Sequence, residues 1–283
     1  MGSAARAEQM QFVSASVDGQ RFVYADSGEG PLVVLFHGFP DLPTGWEETA
    51  RALNAGGYRT VVPYLRGYHP GTIVPGRGYG GEEIAQDAVR LLDAIGADDA
   101  VLIGHDWGAA IAYRAAADTP ERVRAICAVA IPHPRLIKPS PALLWRARHF
   151  VTLKLPTGPR LARSRDFAYI DALIRRWAPH WSGPERDDCL AEVKRAFADP
   201  VVLDAALAYY RDAKRGGVPT LSQPALVVGG TTDILDVSSF TRSPEVFDGP
   251  CEVLIAEGAG HWPHREAAAL FHERLLTFLG GLS

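Results

Sequence analysis

Two shortages in the sequence exclude whole classes of protein: cysteines are few, and no long hydrophobic run occurs. Only Cys127, Cys189 and Cys251 are present, far apart and without a CxxC pair, so we expect neither a disulfide framework nor a thiolate metal site. No stretch approaches the roughly 18 consecutive apolar residues of a transmembrane helix, and residues 1–11 lack the apolar core of a signal peptide. We therefore expect a cytoplasmic protein without a membrane span.

The chain also lacks an excess of positive charge. It has 29 basic and 33 acidic residues and a net charge of -4, which argues against nucleic acid as the main partner. Its 283 residues, 47% of them hydrophobic, can bury a sizeable core in one large α/β domain or two ordinary ones. A small uncharged ligand is more compatible with this net charge than nucleic acid is.

Short apolar runs rich in β-branched residues alternate with segments whose apolar residues recur at helical spacing. We interpret the runs as buried strands, at residues 32–36, 61–62 with their flanks, 100–103, 125–131, 225–228 and 253–256. A hairpin at residues 11–25, turned at Asp18 and Gly19, precedes them. The alternation predicts an α/β fold, a parallel sheet with helices on both faces.

The rhythm changes at residues 132–217, where no strand pattern is visible. This segment is interpreted as an inserted helical cap, so that residues 1–131 and 218–283 form the core domain. Trp145, Phe150, Phe167 and Trp177 can either line the substrate pocket or fill the core of the cap, and we expect most of them to fill the core. The cap segment has 16 basic and 9 acidic residues, against 13 and 24 elsewhere. Solvated helix faces explain this charge simply, with attraction of an anionic substrate or surface as the alternative.

The strongest chemical signal is the pentapeptide Gly-His-Asp-Trp-Gly at residues 104–108, between a predicted strand and a predicted helix. Glycine on both sides permits a tight strand-to-helix elbow, which presents the central side chain at the carboxyl edge of the sheet. That side chain is Asp106, a candidate nucleophile whose anion the following helix N-terminus favours. The simpler alternative is that Asp106 only caps the helix.

Two further loops supply candidate groups for an oxyanion hole. The motif His-Gly-Phe-Pro at residues 37–40 follows the first predicted strand of the parallel sheet and can present the backbone N–H of Phe39. The backbone N–H of Trp107, the residue after the candidate nucleophile, would be the second donor. Taken alone, the motif at 37–40 is equally typical of an ordinary turn.

A base and its orienting acid are predicted at two later strand ends. His261 lies in a glycine-flanked loop after residues 253–256, where an imidazole can reach the elbow. Asp233 follows the strand at 225–228 and is the preferred acid, with Asp236 as the alternative.

The order nucleophile, acid, histidine, together with the motifs HGFP, GHDWG and GHW, resembles the epoxide hydrolase branch of the α/β-hydrolase superfamily over essentially the whole chain. The resemblance implies a mostly parallel eight-stranded sheet with an inserted helical cap. It also implies a small-molecule epoxide as substrate, no metal or organic cofactor, and a monomer or homodimer.

In that family two cap tyrosines hold the epoxide oxygen, and the second lies in a Tyr-Arg pair that matches Tyr210. The position of the first, seven residues before Pro156, holds His149 instead. A His/Tyr pair resembles an atypical epoxide hydrolase subgroup and also fluoroacetate dehalogenases. We therefore expect the substrate site to include Tyr210 and His149 together with Trp107, Phe150 and His37.

The resemblance leaves two other functions open. Hydrolytic dehalogenation of a haloalkane or haloacid would use the same nucleophile. However, Trp107 and Ala110 replace the arginines of fluoroacetate dehalogenases, and Phe39 stands where haloalkane dehalogenases have a second halide donor. The third possibility is a small-molecule binding protein without turnover, although every member of the expected triad is present.

Overall fold

Eight strands form one sheet in a computed structural model of the chain, which describes residues 10–213 and 217–282. The order across the sheet is β1-β2-β4-β3-β5-β6-β7-β8, antiparallel for the first two pairs and parallel for the rest. The strands are β1 (Phe12–Val17), β2 (Gln20–Ser27), β3 (Leu32–Phe36), β4 (Arg59–Pro63), β5 (Ala100–His105), β6 (Val123–Val129), β7 (Ala225–Gly230) and β8 (Cys251–Ala256).

The predicted fold class is confirmed. Strands β3, β5 and β7 are completely buried, as expected for parallel strands covered on both faces. The predicted hairpin forms β1 and β2, and its turn places Asp18 and Gly19 at φ values of 49° and 75°. Several strand boundaries differ from the predicted ones: β5 and β7 extend to His105 and Gly230, and β6 and β8 begin earlier, at Val123 and Cys251. The strand expected to continue to residue 131 ends at Val129, because Ala130 adopts a φ of 66° that breaks the extended backbone.

Helices cover both faces of the sheet. Residues of α2 and α3 belong to the core on one face, and residues of α1 and α11 belong to the core on the other. The helices are α1 (Glu47–Ala55), α2 (Gly81–Ile95), α3 (Trp107–Asp118), α4 (Pro141–Arg146), α5 (His149–Lys154), α6 (Gly158–Trp177), α7 (Pro184–Phe197), α8 (Pro200–Asp212), α9 (Val237–Thr241), α10 (Pro263–Glu266) and α11 (Ala268–Gly280).

Five of these helices, α4 to α8, lie between β6 and β7, and the described part of that segment contains no named strand. Helix α6 is interrupted at Ser164, Arg165, Asp166 and Phe167, the last three of which have positive φ. The arrangement supports the proposed cap at residues 132–217, whose boundaries remain a prediction. Residues 214–216 of that segment lie outside the described residues.

The aromatic residues of the cap divide into two groups. Phe167 and Trp177 are buried, as expected for residues that fill a core. Trp145 and Phe150 do not fill the core: they are 68% and 43% exposed, because the short helices α4 and α5 turn them outward.

No helix within residues 10–213 and 217–282 is long and apolar enough to cross a membrane. Most of the N-terminal segment used for the prediction of location, residues 1–9, lies outside the described residues.

Candidate active site

The turn between β5 and α3 holds Asp106 in a backbone conformation with φ 52° and ψ -114°. A side chain on Gly104 would overlap the backbone of Gly108, and a side chain on Gly108 would overlap the carbonyl oxygen of Phe36. Only glycine fits at these two positions, because the chain doubles back on itself there. The result is the sharp elbow that the pentapeptide predicts.

The carboxylate of Asp106 does not cap the helix that follows it. In the described residues its side chain accepts no cap hydrogen bond from α3. Instead, Oδ1 accepts a hydrogen bond of 2.8 Å from the backbone N–H of Phe39. Gly38 permits this approach, since a Cβ at that position would overlap the side chain of Asp106. No comparable hydrogen bond from the Trp107 amide to Asp106 is present in the described chain.

The imidazole of His261 lies between two carboxylates. Its Nδ1 is 3.1 Å and 3.0 Å from Oδ1 and Oδ2 of Asp233, and its Nε2 is 3.5 Å from Oδ2 of Asp106. Asp236, the alternative acid, instead forms an exposed ion pair of 2.9 Å with Arg146. The geometry therefore joins Asp106, His261 and Asp233 in one row of side chains.

Charge interactions shift the pKa values of His261 and Asp106 in opposite directions. Burial disfavours the imidazolium, but the carboxylates of Asp233 and Asp106 outweigh burial and raise the pKa of His261 to about 10. Burial likewise acts to raise the pKa of Asp106, but the contact with His261 and the Phe39 amide lower it overall. The resting site is therefore an ion pair of imidazolium and carboxylate.

Residues that sequence reasoning missed hold the loop of His261 in place. The carboxylate of Glu266 accepts hydrogen bonds of 2.9 Å from the backbone N–H groups of Gly260 and Trp262. His105 Nε2 lies 2.8 Å from the carbonyl oxygen of His261, and the carbonyl of Trp177 accepts the His261 N–H at 2.9 Å. The position of Glu266 six residues after Gly260 is similar to a helix-capping pattern, which the sequence could have indicated. The contacts of the loop with His105 and Trp177 join distant segments and leave no local sequence signal.

Two side chains from the cap meet above the elbow. The ring of Tyr210 lies 5.3 Å from those of Phe39 and Trp107 and 5.8 Å from that of His149, measured between centroids. The neighbouring Tyr209 points elsewhere, because its hydroxyl donates a 2.9 Å hydrogen bond to the carbonyl of Arg66. Of the two adjacent tyrosines, Tyr210 is thus the one placed toward Asp106.

Burial keeps both of these cap groups uncharged. It raises the pKa of the Tyr210 phenol well above its usual value, and the nearby charge of Asp106 raises it further. Burial, together with the positive charge of Arg176, lowers the pKa of His149 to about 3. A protonated phenol and a neutral imidazole can each donate a hydrogen bond to an oxygen atom between them.

Several buried polar atoms around the elbow have no hydrogen-bond partner among the described residues, including His261 Nε2, His149 Nδ1 and Trp107 Nε1. An unsatisfied buried donor or acceptor costs ~1–3 kcal/mol, so such a group of atoms indicates a place for a polar ligand or water.

Phe150 and His37, the two remaining residues predicted to contact the substrate, differ in where they lie. Phe150 lies at the rim of this cluster, with its ring 5.0 Å from Tyr210 and 6.0 Å from Trp107. His37 is fully buried, and its Nε2 accepts a hydrogen bond from the N–H of Leu65 while its Nδ1 lies 3.0 Å from the Gly38 carbonyl. Since both nitrogens are engaged by backbone, we assign His37 a structural role and not substrate binding.

Three buried side chains of types that bind metals lie together next to His261. Asp41, His105 and His264 are buried, and their potential ligand atoms lie within 4.8 Å of one another. However, Asp41 already accepts the indole N–H of Trp262 at 3.1 Å and faces the guanidinium of Arg265 at 3.7 Å. Ligand atoms about 2 Å from a shared ion would have to lie closer together, so the group fits a buried polar cluster better than a metal centre.

Comparison with known proteins identifies first the fold family of the chain and then its nearer relatives within that family. Residues 31–153 match the model of the alpha/beta hydrolase fold family. The chain is 37% identical to an epoxide hydrolase of Caballeronia sordidicola, covering 90% of this chain and 89% of that one. It is 30% identical to epoxide hydrolase A of Mycobacterium tuberculosis, covering 94% and 96%. The crystal structure of epoxide hydrolase A from Mycobacterium thermoresistibile superposes with a TM-score of 0.76 at 26% identity, covering 97% and 99%.

These findings show that the chain is an α/β hydrolase. It belongs to the epoxide hydrolase branch of that family, as the order of its motifs indicates.

Proposed function

We propose that this protein is an epoxide hydrolase, which adds water to an epoxide through a covalent ester on Asp106 and releases a vicinal diol. The observation that carries the proposal is that the two carboxylate oxygens of Asp106 have different partners. Oδ1 of Asp106 is held by the Phe39 amide, while Oδ2 faces Nε2 of His261 at 3.5 Å. One oxygen can thus bond to carbon while the other already occupies an oxyanion site.

In the first step Oδ2 of Asp106 attacks a carbon of the epoxide, and the bond from that carbon to the ring oxygen breaks. Tyr210 gives its phenolic proton to the departing oxygen, and His149 donates a hydrogen bond to the same atom. Both groups are uncharged donors in this site, for the reasons given above. The product of the step is a hydroxyalkyl ester of Asp106.

In the second step His261 removes a proton from water, whose oxygen attacks Cγ of Asp106. Negative charge collects on Oδ1, which the N–H of Phe39 stabilises. The N–H of Trp107 is proposed as a second donor that engages at this stage. The bond from Cγ to Oδ2 then breaks, the diol leaves with the proton from His261, and the second proton of the water restores Tyr210.

Formation of the ester itself converts His261 into a base. While Asp106 is ionised, it helps to hold the pKa of His261 near 10. Esterification removes that negative charge, so the pKa falls and the imidazolium releases its proton to solvent. The neutral imidazole can then accept a proton from water at neutral pH, and it takes a proton up again from solvent when Asp106 is restored as a carboxylate. Asp233 retains its contact with Nδ1 and orients the ring throughout.

The substrate is proposed to be a small-molecule epoxide, and the protein to act in the cytoplasm as a monomer or homodimer without a cofactor. The test measures diol formation and halide release in parallel, with matched epoxide and haloalkane panels, for the wild type and Asp106→Asn. The proposal expects diol from the wild type, none above background from Asp106→Asn, and little halide. Halide release without diol formation would assign the same nucleophile to dehalogenation.

A further inference from the structure

The cap exposes a cluster of large apolar side chains within twelve residues of sequence. Leu144 and Trp145 on α4, Phe150 and Val151 on α5, and Leu155 just after α5 are all exposed, Trp145 and Val151 by about two thirds. These five are the majority of the eight large apolar residues that the described chain exposes. We call them the apolar cap patch. Single exposed apolar residues are ordinary, but a concentration of this kind marks a surface that binds something.

Positively charged residues flank the apolar cap patch along the sequence. Residues 132–165 contain eight basic residues and no acidic one. Six of the basic side chains are exposed: Arg135, Lys138, Lys154, Arg160, Arg163 and Arg165. The rest of the chain outside the cap segment is acidic in balance, with 13 basic and 24 acidic residues. The apolar cap patch therefore belongs to a basic segment of an otherwise acidic chain.

We propose that the apolar cap patch docks the protein on the surface of a membrane that contains anionic lipids. Apolar side chains of this kind enter the boundary between headgroups and acyl chains, while Lys and Arg contact lipid phosphates. Arg148 already lies over the ring of Trp145, with its guanidinium carbon 4.4 Å from the ring centroid. This pairing places a cation beside an amphipathic ring, the combination that suits an interface. The acidic core faces away from the lipid.

A membrane accounts for the surface better than a second copy of the chain does. In a symmetric dimer the same patch meets itself, and the concentrated positive charge around it would then repel. A bilayer with anionic headgroups attracts that charge, and the cytoplasmic leaflet carries such lipids.

The apolar cap patch is continuous with the candidate active site. Phe150 belongs to the patch, and its ring lies 5.0 Å from the ring of Tyr210. Docking would therefore turn the rim of the site toward the bilayer. If the proposed function holds, the substrates include lipophilic epoxides that reach the site from the membrane, such as epoxides on acyl chains.

The test is flotation of the full-length protein with vesicles of phosphatidylcholine alone or of an equimolar mixture with phosphatidylglycerol. We expect the wild type to float with the anionic vesicles only, and binding to weaken near 1 M salt, where the Debye length is about 3 Å. The pair Trp145→Ser with Val151→Ser removes apolar contact, and Lys154→Glu with Arg160→Glu reverses charge. Each pair should lower binding by about tenfold or more.

Matched controls change exposed residues elsewhere. Val201→Ser with Leu270→Ser, and Arg51→Glu with Arg124→Glu, should leave binding as in the wild type, since these residues lie outside the patch. Turnover of a water-soluble epoxide by the Trp145→Ser and Val151→Ser variant should be unchanged, which shows that the variant folds.

Three results would overturn the proposal: no flotation of the wild type with anionic vesicles, equal binding by the patch variants, or a dimer in sedimentation velocity that the patch substitutions dissociate while no vesicles bind. The Asp106→Asn variant separates the two proposals, since it should still float. Flotation without epoxide turnover by the wild type would contradict only the proposed function.

Discussion

His261 and Asp106 face each other across 3.5 Å, measured from Nε2 to Oδ2, and Nε2 has no hydrogen bond to any described residue. The free nitrogen therefore lies beside the carbon atom that water must attack once an ester has formed. The same contact stabilises the charged forms of both groups before substrate arrives. The activation of His261 as a base and the stability of the folded protein therefore both depend on this pair of side chains.

Replacing the orienting acid tests the row of three side chains. Asp233→Asn should lower kcat by about 10³–10⁴-fold, because the imidazole loses its orientation and the charge that stabilises its protonated form. The ester should also accumulate, since the second step slows more than the first. Steady-state rates and intact mass after a short incubation measure the two effects.

Asp236→Asn is the matched control for that experiment. Its carboxylate pairs with Arg146 at the surface, so we expect kcat within about twofold of the wild type. Equal losses in the two variants would contradict the assignment of Asp233.

The two cap groups should contribute unequally. Tyr210→Phe removes the proposed proton donor and should slow formation of the ester by about 10²-fold. His149→Gln keeps a hydrogen-bond donor of similar reach and should cost about tenfold or less. Rapid-quench measurement of the ester isolates this step. Tyr209→Phe, which loses only a contact with the Arg66 carbonyl, should leave ester formation unchanged.

Stability should fall as pH rises above neutrality. His261 binds its proton more tightly in the folded protein, with a pKa of about 10, than in the unfolded chain, where the ordinary value is 6.5. Its contribution to the free energy of unfolding is therefore complete below pH 6.5 and is lost as pH rises toward 10. Denaturant unfolding across this window measures the slope.

The slope should become shallower in Asp106→Asn, because the neutral amide no longer raises the pKa of His261. An unchanged slope would mean that the two groups do not interact in solution. Because other groups titrate alike in both proteins, the difference between the two slopes reports on His261 alone.

The elbow glycines should be intolerant of a side chain. Gly108→Ala would push a methyl group against the carbonyl of Phe36 and should destabilise the protein by ~1–3 kcal/mol while lowering activity. Gly81→Ala, at the start of α2, is the control, because nothing lies within 4 Å of the added carbon. Thermal unfolding of both variants checks the prediction. Equal stability of the two would mean that the elbow is less crowded than the structure has it.

Local sequence patterns predicted the parts of this protein that depend on local chemistry. The apolar runs located the strands, and paired glycines with a central aspartate indicated the elbow at Asp106. Strand ends at one edge of a parallel sheet meet, which is why His261 and Asp233 could be proposed together from positions 28 residues apart.

Contacts between distant segments could not be read in the same way. Ala130 ends β6 at a positive φ although its composition suits a strand, and His37 is engaged by the backbone of Leu65. The support of the His261 loop by His105 spans 156 positions in sequence. The outward turn of Trp145 depends on how short cap helices pack, and hydrophobicity alone predicted the opposite.

Oxygen transfer in a single turnover tests the central claim most directly. With enzyme in excess over epoxide in H₂¹⁸O, water attacks Cγ of Asp106, so the first diol should take its new oxygen from the enzyme. The peptide that contains Asp106 should gain the label, as mass spectrometry of a digest can show. Label in the diol of that first turnover, with an unlabelled peptide, would mean that water attacks the epoxide directly and that no ester forms.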